Sequence, residues 1–107
     1  MATAGMSARG KDNWRLTAVG ATPSVSKAAQ TGIRHFIEFM VLRGHTSGQT
    51  WTFKNDSVTE IVGDIGDETL VEKVILAGST GKAISLEMSD TNGNSRIYMS
   101  GYSVKVI

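Results

Sequence analysis

The residues that could act as nucleophile, base or metal ligand are few and far apart. His35 and His45 are the two histidines, and there is no cysteine. No third ligand stands near either histidine at a metal-site spacing, and no serine or threonine is set beside a base and an orienting carboxylate, so neither a zinc site nor a nucleophilic site is supported. His45 reads as a loop residue. His35 falls in the most apolar run of the chain and reads as a hydrogen-bonded core or interface histidine, which would make assembly pH-sensitive if it is held neutral. The stretch Gly63 to Glu68 (GDIGDE) gathers Asp64, Asp67 and Glu68, oxygen ligands that suit calcium in principle. Without an EF-hand's further ligands, closing glutamate and flanking helices, it reads as a solvated turn. Gly78 to Gly81 (GSTG) lacks the spacing of a phosphate loop, and Lys82 reads as a solvated lysine. Trp14, Trp51, Tyr98 and Tyr102 could stack a sugar, but spread along the chain they read as core and rim residues. The catalytic, cofactor-binding and metal-ligating sets are therefore each predicted to be empty.

What remains is a question of surfaces, and the run Thr31 to Gly44 (TGIRHFIEFMVLRG) is the stretch the others must be arranged around. Its apolar residues fit a helical stripe or the two sides of a strand, and periodicity does not separate them. Its β-branched and aromatic content, bracketed by Gly32 and Gly44, favours a strand. Strict alternation then puts Ile33, His35, Ile37, Phe39 and Val41 on one side and Arg34, Phe36, Glu38, Met40 and Leu42 on the other. A strand apolar on both faces is covered on both, by a second sheet or by a neighbouring subunit. Arg34 and Glu38 flanking Phe36 suggest a subunit contact in which charges set register around an apolar centre.

Elsewhere the chain alternates with period two. Trp14 to Val19, Val25 to Gln30, Thr50 to Lys54, Val58 to Val62, Leu70 to Ala77, Ile84 to Ser89 and Ser95 to Ile107 read as strands. Pro23 places the second of these at an edge. Asn55-Asp56 offers a turn, and Asn92-Gly93 is a hairpin signal predicted to join the last two strands. Met1 to Asn13 shows no period that buries a face and reads as an extended N-terminal arm. The remainder, 14–107, reads as one all-β, jelly-roll-like sandwich of about seven or eight short antiparallel strands.

Composition agrees with that class. The 107 residues include 12 glycines and a single proline, with 11 Lys and Arg against 10 Asp and Glu for a formal charge of +1. A near-neutral balance gives no overall pull toward nucleic acid or anionic membrane. With no cysteine, packing or assembly must hold the fold together. No apolar run approaches a membrane span and no secretory signal is evident, so the product is expected in the cytosol unless it leaves in a particle.

Three segments, TGIRHFIEFMVL, VILAGSTGKAISLEM and RIYMSGYSV, together resemble a group of small bacteriophage structural proteins. The likeness is carried by Gly32, Ile33 and Arg34 at the start of the long strand, by Leu76 through Gly81 before an alternating strand, and by Gly101 and Tyr102 near the C-terminus. Ile75 stands where the group has a proline, and Asn55-Asp56 lacks its usual glycine. The resemblance implies a non-enzymatic virion component made in the host cytoplasm. Its first form is a capsid decoration (cement) protein on the head surface; the alternative is a tail or fibre adhesion or glycan-binding module, with Trp51 and the loop Gly44 to Gln49 as the sugar site. The expected partners are further copies of the chain, with a trimer favoured, and the major capsid protein, without nucleic acid or membrane. Trp14, Arg34, Phe36 and Glu38 are the expected subunit contacts, and Arg9 and Lys11 the expected capsid contacts.

Overall fold

The computed structural model describes residues 11–89 and 94–106. Nine strands and no helix lie among the described residues: β1 (Lys11–Gly20), β2 (Ser24–Lys27), β3 (Ile33–Arg43), β4 (Thr50–Asn55), β5 (Val58–Asp64), β6 (Thr69–Glu72), β7 (Leu76–Ala77), β8 (Ile84–Met88) and β9 (Ser95–Lys105). They form two antiparallel sheets, one in the order β1-β9-β3-β6 with β7 also on β3, the other β2-β8-β4-β5. The all-β sandwich expected from the alternation is thus present. Counting β6 and β7 as one interrupted strand, the pairing is nested, first strand with last, second with second-last, and so inward to the β4–β5 hairpin.

The core lies between the sheets. Ile37, Met40, Leu42, Ile97 and Met99 from one sheet meet Phe53, Ile84, Leu86 and Met88 from the other, all nearly or fully buried. Each such side chain stabilises the fold by roughly 1.5–3 kcal/mol on burial, which is what holds a chain without disulfides.

The run at β3 is a strand, but its two faces are not those that strict alternation predicts. Ile37 pairs with Gly101 and Phe39 with Ser100, so Glu38 is an extra residue, a β-bulge. An inserted residue shifts the phase of alternation on its C-terminal side by one. His35 and Ile37 therefore share the buried face with Met40 and Leu42, while Phe36, Phe39 and Val41 stand on the outer face, opposite Tyr102, Ser100 and Tyr98. Gly101 permits the close approach at this point. A Cβ there would lie 1.9 Å from the Phe36 carbonyl oxygen.

Three further expectations are corrected. β8 and β9 are not a hairpin: β8 pairs with β2 and β4, and β9 with β1 and β3, so the connection crosses between sheets. Length explains this, because the 11-residue β9 matches the 10 residues of β1 and the 11 of β3, whereas pairing with five-residue β8 would leave half its backbone groups unpaired. Residues 90–93, including Asn92-Gly93, lie outside the described residues. The predicted strand Leu70 to Ala77 is broken into β6 and β7 opposite the Glu38 bulge. Finally, the ladder begins at Lys11, which pairs with Val104, so 11–13 belong to β1 and not to an arm.

Candidate functional site

A nucleophile and a base do meet, though sequence spacing hides it. Ser103 Oγ lies 2.6 Å from His35 Nδ1, although the two are 68 positions apart in the chain, brought together because His35 and Ser103 are register partners on β3 and β9. His35 Nε2 lies 2.8 Å from the Ala28 carbonyl oxygen. Because a carbonyl only accepts, Nε2 carries the proton, Nδ1 is the acceptor and the Ser103 hydroxyl donates to it. The Ser103 oxygen in turn accepts from Trp14 Nε1–H at 3.0 Å. Burial holds the His35 pKa below its ordinary 6.5; the Ala28 carbonyl opposes that shift and the Lys27 charge adds to it. His35 and Ser103 are 0% and 1% exposed, so no substrate reaches the pair. It is a relay that ties the end of β2 to β3, β9 and β1.

A second buried cluster closes the other end of the sandwich. Gln49 donates from Nε2 to Ser95 Oγ and to the Ser89 carbonyl, and accepts the His45 amide on Oε1. Its own carbonyl accepts the amides of Ile65 and Gly66. These bonds fix the loop Gly44 to Gln49 against the GDIGDE turn. Trp51 is turned inward and is 9% exposed, its indole against Gly63, where a Cβ would come within 2.3 Å of Nε1. The sugar platform expected at Trp51 therefore has no exposed ring. No group of three or more His, Asp or Glu residues able to hold a metal occurs among the described residues.

Aromatic side chains gather on the outer face of the five-stranded sheet. The rings of Phe36 and Tyr102 stack with centroids 4.9 Å apart and planes at 17°; Phe39 and Tyr98 meet edge-on at 6.1 Å. Both are pairs across the β3–β9 ladder, the unit by which a sheet face is stabilised. The Arg34 guanidinium lies 5.0 Å from the Phe36 centroid, held there by its Nε–H donating to the Gly78 carbonyl at 2.7 Å. Beside this row, between the bulge and the β6–β7 break, Glu38, Phe39, Lys73, Val74 and Ile75 line an open groove of about 670 Å³. Val19, Val71 and Ile75 around the face are 59%, 58% and 61% exposed.

Of the expected contact residues, Arg34, Phe36 and Glu38 are brought together on this outer face, where Glu38 also lines a depression with Arg15, Tyr98 and Ser100. Trp14 lines that depression too, but its indole is turned away from the aromatic row, toward Ser103. It pairs with Gly101 on the inner side of the sheet, packs against the core and carries Lys27 Nζ 5.8 Å from its ring. Lys11 opens β1, and Arg9 lies outside the described residues. The alternation of β9 already set Tyr98 and Tyr102 on one side; what spacing could not supply was that β3 would lie beside them, with its bulge turning Phe39 outward. Compared with known proteins, the chain has no match among family models, curated proteins or solved structures.

Proposed function

We propose that the protein is a non-enzymatic structural component of a bacteriophage virion, a decoration or cement protein that acts as an oligomer on the head surface. The single observation that carries the assembly part is the outer face of the five-stranded sheet, with two aromatic pairs, Arg34 over Phe36, and exposed valines around them. An exposed face of that kind on a small chain marks a protein contact, and aromatic and arginine residues are the side chains enriched where contacts contribute most. The virion part rests on the resemblance of the three segments quoted above. The nested strand pairing supports a jelly-roll reading of the sandwich. Its role would be mechanical: each copy bridging neighbouring shell subunits stabilises the shell by mass action.

The test is to add the purified chain to expanded heads of the phage that encodes it, prepared without it. Co-sedimentation with the heads and a rise in the temperature at which they release DNA are expected. Heads that neither retain the protein nor gain thermal resistance would rule out the cement role.

A further inference from the structure

Arg43 and Arg96 are register partners across β3 and β9 on the outer face. Like charges placed directly opposite in a sheet are destabilising, and neither residue takes part in the two ion pairs found among the described residues, Lys54–Glu87 and Lys82–Asp56. Arg15 and Arg34 are exposed on the same face, and among the described residues Glu38 is the one acid there. An isolated protomer thus carries an uncompensated cationic, aromatic surface.

The opposite situation holds at the far edge of the other sheet. From Asp56 to Glu68 the chain has five acids, Asp56, Glu60, Asp64, Asp67 and Glu68, and no lysine or arginine. All five are exposed. β5 pairs only with β4, and its residues are exposed on both sides except at Gly63. Val58, Ile61 and Val62 are accordingly 62%, 37% and 61% exposed. It is an acidic, valine-rich edge overhanging the sandwich.

We infer that these two surfaces are mates between copies: the β4–β5 hairpin edge of one protomer lies on the outer face of the five-stranded sheet of the next. Both sides bring exposed apolar residues, and the four arginines meet the acids of the β5 edge and the turn after it. The inference rests on the proposed oligomer and specifies its contact as heterologous. A head-to-tail contact of that type closes into a ring when the rotation permits, which suits the trimer. A face-to-face contact would instead set arginine against arginine.

Charge-reversed variants test it, separately and combined in one chain. Arg43→Glu/Arg96→Glu alters the face and Glu60→Lys/Asp64→Lys alters the edge, all at exposed positions, with circular dichroism and thermal unfolding to establish that each variant folds. By light scattering, each variant alone should associate more weakly than the natural chain by about tenfold or more, and a chain carrying all four reversals should recover the oligomer, because every contact then again opposes acid and base. If the edge variant alone associates as well as the natural chain, the edge is not the mate and the inference fails while the oligomer stands. If the natural chain is a monomer, the oligomer itself fails. If that monomer binds a single-stranded oligonucleotide in an anisotropy titration, the face belongs to nucleic acid, and both are overturned.

Discussion

On the outside of the four-stranded sheet, β2, β4 and β8 present Ser24, Ser26, Thr50, Thr52 and Ser85, with the Lys54–Glu87 ion pair at 3.0 Å between neighbouring strands. On the outside of the five-stranded sheet, β3 and β9 present Phe36, Phe39, Val41, Tyr98 and Tyr102, with Arg43 and Arg96 opposite each other and in neither of the ion pairs found among the described residues. One core backs both. The hydroxyl-rich face over β2, β8 and β4 is complete up to the β5 edge: its side chains are small and polar, and Lys54 and Glu87 match each other. The aromatic face keeps apolar area and an excess of arginine, which on the proposed reading a partner covers.

The comparison breaks most sharply within a single strand. Ile37 and Phe36 are adjacent on β3 but point to opposite sides, one into the core and one outward. Ile37→Ala is expected to lower unfolding stability by about 2–5 kcal/mol through lost burial and a residual cavity. Phe36→Ala should cost the protomer less than half as much and weaken association instead. Urea titrations on dilute protein separate the two, and equal losses of stability would mean that the outer ring is structural.

His35 gives a second, pH-dependent contrast. With its folded pKa held below 6.5 by burial, the unfolded chain takes up the proton first as pH falls. Its contribution is therefore complete above about pH 6.5 and is lost as pH drops through the unfolded value toward the lower folded one. Denaturation midpoints followed downward from pH 7.5 should decline below that point, and His35→Gln should flatten the decline. An unchanged slope in the variant would assign the acid sensitivity to other groups.

Two smaller effects sharpen the account of the four-stranded sheet. Asp56 and Ser57 form the two-residue β4–β5 turn with φ of 54° and 69°, a geometry that costs an L-residue energy and a glycine little. Ser57→Gly should raise the unfolding free energy by about 0.5–1 kcal/mol; a loss would show that the serine side chain matters more than its backbone. The Lys54–Glu87 pair, about a third exposed on each side, should be worth roughly 0.2–1 kcal/mol in a double-mutant cycle. Neutralising it should leave association unchanged, whereas a change of oligomeric state would remove the distinction between the faces.

Much of this was legible in the residues. Alternation in Thr50 to Lys54 and in Ile84 to Ser89 gave β4 and β8 with their facing, and Pro23 marked the edge at β2, which pairs only with β8. What failed did so where a local pattern met a long-range constraint. The period of β3 was read straight through Glu38, because a bulge is a property of two paired strands and leaves no mark in one of them. The signal at Asn92-Gly93 was outweighed by the lengths of β1, β3 and β9, which satisfy one another's backbone groups. The Ser103–His35 pair and the Gln49 cluster join residues far apart in sequence, and no spacing rule connects positions that share only a register.

Sedimentation velocity of the natural chain and of Phe36→Ser/Phe39→Ser across a wide concentration range bears most directly on the aromatic face as a mating surface. The natural chain is expected to form a concentration-dependent oligomer and the double variant to remain a folded monomer. A natural chain that stays monomeric at the highest concentration, or a double variant that sediments with it, would mean that the aromatic face is not a mating surface.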